Sequence, residues 1–156
     1  MRRLLPTLLL ACAIGASASA PTVMPLAAAD VPALLQPPAH GERIVMLWAL
    51  DCAYCEASMQ ALATLQRAHP AEIELVTVAT DSIALRTRIA ARLAAAGLPG
   101  YPARAYAEAT PEQLNFLIDP EWGGETPRTL VIRADGTRIA VSGALTGAQL
   151  QQIAPP

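Results

Sequence analysis

The sequence predicts one α/β domain, with a parallel strand–helix–strand core and a hairpin towards its C-terminal end. Three observations carry this. Residues 43–48 and 72–78 are strand-like apolar segments, and the stretch between them has helical spacing. A second helical stretch follows, so the order strand, helix, strand, helix calls for a parallel βαβ unit with a right-handed crossover. Later, residues 128–133 and 138–142 flank Asp135-Gly136, a strong hairpin signal. The 156 residues suit one domain with a modest core.

Taken in order, residues 1–18 read as a secretory signal. Arg2 and Arg3 are its basic start, residues 4–14 its apolar stretch, and Ala16-Ser17-Ala18 a small-x-small cleavage site. Cleavage after Ala20 fits by size, but Pro21 would follow the cut. The apolar stretch is too short to span a bilayer. Leu9-Leu10-Ala11-Cys12 loosely resembles a lipoprotein box, which would anchor the chain through a lipid on Cys12. Residues 19–40 are rich in Ala and Pro, lack periodicity, and read as a flexible linker. The folded domain is then expected over residues 41–156.

Residues 43–48 form a continuously apolar run, suited to a buried central strand. Over residues 54–69, Cys55, Met59, Leu62 and Leu65 recur at helical spacing until Pro70 stops the helix. Residues 72–78 alternate and then turn apolar, as a second strand. Asp81 or Ser82 caps the next helix, with Leu85, Ile89 and Leu93 inward and Arg86, Arg88 and Arg92 outward. Gly97 and Pro99 end it. Residues 101–107 suit a further strand. Thr110, Pro111 and Gln113 read as N-cap, first helical residue and capping-box partner. A last helix runs from about Thr146 to Ile153.

Composition excludes some functions. With 53% apolar and 15% charged residues, the chain is globular rather than disordered. A net charge of −2 and scattered Arg residues leave no basic patch for nucleic acid. Removing the signal removes Cys12, leaving Cys52 and Cys55 as the only thiols in a compartment that permits disulfides.

Cys52-Ala53-Tyr54-Cys55 begins a helix directly after a strand. Unpaired N–H groups and the helix dipole there stabilise a thiolate, lowering a cysteine pKa from roughly 8.5 into about 3.5–7.5. Cys55, one turn along, can attack a mixed disulfide on Cys52. Position thus makes Cys52 the attacking thiol and Cys55 the resolving one. A structural disulfide, two buried thiols and a zinc site are the rivals. Zinc wants four ligands, and only His40 and His69 exist besides the cysteines. Haem attachment needs His after the second cysteine, where Glu56 stands.

Residues 48–55, WALDCAYC, resemble the thioredoxin active site. The helix start from Cys55 through Met59 to Leu62 is similar to that of exported TlpA/ResA-type thioredoxins. Thr126-Pro127, the strand after it and Asp135-Gly136 match that family's cis-proline strand and hairpin, and residues 143–146 its loop into the last helix. The resemblance covers about residues 41–154. It implies a thioredoxin fold: a central mixed β-sheet flanked by helices, with a TlpA-like insertion before the cis-proline strand. It also implies a redox-active Cys52–Cys55 disulfide with no other cofactor and no metal. A cis bond at Thr126–Pro127 would face the pair, and Trp48 would shape the site's floor.

Several positions depart from the family. The buried acid two residues before the tryptophan is here Met46, which cannot titrate; Glu56 is the nearest substitute, or else a solvated first-turn acid. The helix-kinking proline is Gln60. Ala53-Tyr54, with Thr126 before the proline, is similar to the exported disulfide isomerases, yet no dimerisation domain fits before residue 41, so a monomer is expected. Tyr54 is exposed by position and able to touch a substrate peptide. Trp122 either rims the site or packs locally. Asp51 and Glu56 put negative charge beside the pair, which offsets the helix end's pull on the Cys52 thiolate, or else are ordinary helix-start acids. The expected activity is thiol–disulfide exchange with exported proteins, as a reductant fed by a membrane redox partner. Oxidase or isomerase use, and a non-catalytic binding or chaperone module, are the alternatives.

Overall fold

The computed structural model describes residues 21–107 and 110–155. The signal, its cleavage sites and Cys12 lie outside the described residues. The elements are β1 (Val23–Leu26), α1 (Val31–Leu34), β2 (Glu42–Trp48), α2 (Cys55–Ala68), β3 (Ile73–Ser82), α3 (Arg86–Ala95), β4 (Ala103–Tyr106), α4 (Pro111–Ile118), β5 (Arg128–Arg133), β6 (Arg138–Ser142) and α5 (Gly147–Ile153). One mixed sheet has the order β1-β4-β3-β2-β5-β6. β1, β4, β3 and β2 run parallel, and the β5–β6 hairpin joins β2 antiparallel.

β2 is central, and its two faces feed two cores. Ile44, Met46 and Trp48 pack with Met59 and Leu62 of α2, Ile89 and Leu93 of α3, and Ile153 of α5. Val45 and Leu47 pack with Val31 and Leu34 of α1 and with Leu114 and Ile118 of α4. Burial on both faces is why residues 43–48 lack alternation. The hairpin turns where expected: Gly136 has a φ of 85°, and the Asp135 carboxylate accepts from the Thr137 N–H at 2.8 Å. Gly41 is required for a different reason. A Cβ there would lie 2.1 Å from the Glu72 carbonyl oxygen, which accepts the Glu42 N–H at 2.8 Å as β2 begins.

Three expectations are corrected. Residues 19–40 are not a linker throughout: β1 pairs with β4, and Val23, Leu26, Val31, Leu34 and Leu35 are buried. Two arginines tie this segment down. Arg43 Nη1 donates to the carbonyls of Ala33, Leu34 and Gln36 at 3.0, 3.1 and 3.0 Å, and Arg138 Nη2 donates to Leu35 O at 3.1 Å. Pro25 is tolerated because β1 is an edge strand.

Thr110 precedes α4, but its hydroxyl does not cap it; its backbone carbonyl accepts the Gln113 N–H instead. The capping box is Thr146 with Gln149, where the Gln149 N–H donates to Thr146 Oγ1 at 3.3 Å and the Thr146 N–H to Gln149 Oε1 at 2.8 Å. Thirdly, β3 runs on to Ser82, so α3 begins only at Arg86, after a 3-10 turn that Ser82 caps.

Candidate functional site

β2 ends at Trp48 and the chain turns at once: the Cys52 N–H donates to Ala49 O at 3.2 Å. Three residues later α2 begins at Cys55, and its N-cap residue, Tyr54, makes no side-chain cap. The amides of the first turn are therefore left to whatever sits at the helix end. What sits there is the Cys52–Cys55 disulfide, with an S–S distance of 2.03 Å. Both cysteines belong to the core with Met46, Trp48 and Met59, Cys55 1% exposed and Cys52 9%. Cys52 is the less buried residue of the two.

The sheet register brings a second loop to the same place. The last β2–β5 pair is Leu47 with Arg128, so Pro127 lies at the level of Trp48, where the cysteine turn leaves the sheet. Thr126–Pro127 is cis, as expected. A third loop joins them: the Gly143 N–H donates to Pro127 O at 2.8 Å, and the Leu145 N–H to the buried Ser58 hydroxyl of α2 at 3.2 Å.

The remaining site residues divide. Tyr54 is 70% exposed beside the pair. Thr126 is half-buried. Trp48 is fully buried, and its Nε1 has no hydrogen-bond partner. Asp51 is exposed. Glu56 lies on the surface of α2 with Arg92 Nη2 at 3.4 Å and Gln60 Nε2 at 3.4 Å, so it is a surface ion-pair member rather than a buried acid. Trp122 is no apolar rim. It is buried in the core on the α4 side of the sheet, its Nε1 donating to Glu125 O at 2.7 Å.

Sequence reasoning passed over the groups that hold the proline loop. Arg128 binds Asp119 at 2.5 Å and Ser142 Oγ at 2.6 Å, and the Ser142 hydroxyl donates to Glu125 Oε1 at 2.5 Å. That last bond, more than any nearby charge, holds the Glu125 carboxyl below the usual carboxylate range. The only sequence signal was an Arg directly after the proline. Among the described residues no group of three or more His, Cys, Asp or Glu could hold a metal ion.

A mixed sheet in this order, a CxxC pair at the head of the helix after its central strand and a cis-proline opposite define the thioredoxin fold. The chain matches no family model and no curated protein. Solved structures do resemble it. A thioredoxin-related protein from Neisseria meningitidis serogroup B superposes with a TM-score of 0.56 at 24% identity, over 73% of this chain and 82% of that one. A secreted Mycobacterium tuberculosis disulfide oxidoreductase homologous to E. coli DsbE gives 0.55 at 18%, over 72% and 78%. StoA from Bacillus subtilis gives 0.52 at 17%, over 74% and 84%.

Proposed function

We propose that this protein is an exported, periplasmic thiol–disulfide oxidoreductase that reduces disulfides of other exported proteins through Cys52 and Cys55. The observation that carries the reading is the disulfide at the uncapped head of α2, with Cys52 the less buried of its two residues. In the reduced protein, the Cys52 thiolate attacks one sulfur of a substrate disulfide and expels the other as a thiolate. The Cys55 thiolate then attacks Cys52 Sγ, closing the internal disulfide and releasing the second substrate sulfur. The substrate gains two electrons and the pair loses two; a membrane redox partner restores them. Tyr54, Thr126 and Pro127 line the approach to Cys52, and an extended substrate backbone pairs with the Thr126 backbone just ahead of β5, since β5 itself is paired on both sides.

Export is supported by the N-terminal signal pattern and by the likeness to a protein described as secreted. The test is insulin reduction by dithiothreitol. Acceleration over buffer is expected, and its absence would leave a binding or chaperone module. Tyr54 before the second cysteine favours one further reading, isomerase or oxidase use. A glutathione redox titration separates it, since a potential as oxidising as that of DsbA, roughly −120 mV, excludes the reductant reading.

A further inference from the structure

Asp81, a residue the sequence offered as a helix cap, does something else. β3 pairs with β4 at Ala79–Ala105 and next at Ser82–Tyr106, so Thr80 and Asp81 bulge out of that ladder. Bulges beside active sites re-aim side chains, and here both turn towards the chain leaving β2. The β2–β3 ladder stops at Trp48–Ala79. Beyond it, Thr80 Oγ1 donates to Trp48 O at 3.4 Å, and Asp81 Oδ2 accepts the Leu50 N–H at 2.8 Å. The Asp81 carboxylate thus continues the ladder where the backbone cannot, with the Thr80 hydroxyl a longer, weaker second contact. Among the described residues the turn's own backbone–backbone bond, Cys52 N–H to Ala49 O, lies at 3.2 Å, the upper end of the usual range. A carboxylate acceptor is about twice as strong as a neutral one.

The geometry points to Asp81 as a positioning residue that fixes the 49–52 turn and so holds Cys52 Sγ at the head of α2. This rests on the thiol–disulfide reading above. Charge and position pull in opposite directions, which makes the role measurable. Charged side chains on the segments around the pair are Asp51, Glu56 with its partner Arg92, Asp81 itself, and Glu125 and Arg128 of the proline loop. If Asp81 acted only as a negative charge, its removal would favour the Cys52 thiolate and speed its reactions. If it positions the turn, its removal lets the sulfur drift from the helix end and disfavours the thiolate.

The experiment follows alkylation of Cys52 by iodoacetamide against pH in the reduced full-length protein, with Asp81→Ala and Asp81→Asn. Asp81→Ala should react at least tenfold more slowly at neutral pH, with its pH midpoint raised. Asp81→Asn keeps an acceptor oxygen and should stay within threefold of wild type. Asp81→Ala reacting as fast as wild type, or Asp81→Asn falling as far as Asp81→Ala, overturns the role. Should Asp81→Ala fail to fold, hydrogen exchange of the wild-type Leu50 amide decides: protection of at least tenfold over the Asp51 amide is expected, and equal exchange overturns it. Alkylation does not depend on protein substrates, so a wild type inactive on insulin would refute the proposed function without touching this result.

Discussion

At Cys52 the local balance is between a helix end that favours a thiolate and acids that oppose it. Glu56 counts for less than its place in the sequence suggests, because Arg92 faces it. Substituting Arg92→Gln leaves that carboxylate unopposed, raising the Cys52 pKa and making the pair more reducing; Glu56→Gln acts the other way. Both groups are more than a third exposed, so each change is worth about 0.2–1 kcal/mol, or at most roughly 20 mV for two electrons. A glutathione titration of the two variants checks the opposite signs. The two sulfurs differ in role as well as in burial. Cys55→Ala should accumulate mixed disulfides with exported proteins on Cys52, and Cys52→Ala should not; trapping by both equally would remove the assignment.

Helix ends give the clearest contrast between elements. Thr146→Ala removes a working cap and should cost about 0.5–2 kcal/mol in urea denaturation, whereas Thr110→Ala removes none and should stay within about 0.5 kcal/mol. Both threonines begin the same sequence pattern, so the pattern alone cannot separate them. Legibility followed locality throughout. The strand before Cys52, the hairpin at Asp135-Gly136 and the proline loop were readable because short stretches encode them. β1 was not: it has four residues, of which only Val23 and Leu26 are buried, and its place depends on β4, far along the chain. Asp81 was misjudged for the same reason. Ser82 beside it suffices as a cap, and the Leu50 amide that Asp81 binds lies 31 residues away. Trp122 could not be assigned to a face of the sheet without the topology.

At the scale of the whole molecule, the one buried acid among the described residues ties stability to pH. Glu42 opens β2 almost fully buried, with Oε2 3.5 Å from Arg133 Nε and Oε1 unpartnered. Burial raises its pKa, only partly countered by Arg133. The folded state therefore holds this proton more tightly than the unfolded chain, and stability falls as pH rises from the ordinary carboxylate range through the raised value. Glu42→Gln should flatten that decline and leave the protein more stable than wild type at pH 7. Urea midpoints at pH 5 and pH 7 measure it, and a midpoint at pH 7 below wild type would refute it.

The register of β1 also dictates an order of assembly. Val23 pairs with Ala103 and Leu26 with Tyr106, while α1 packs against α4, which comes later still. β1, the first of the described strands, thus leaves a ribosome or a translocation pore before β2 and β3 are made and only then meets its partner β4. β2, α2 and β3 can collapse on one another long before β1 has anywhere to go, since contacts between distant stretches bear the larger closure entropy. Until residue 118 has emerged, Leu26, Val31 and Leu34 remain without their full burial. The chain is kept from completing its sheet for most of its own synthesis.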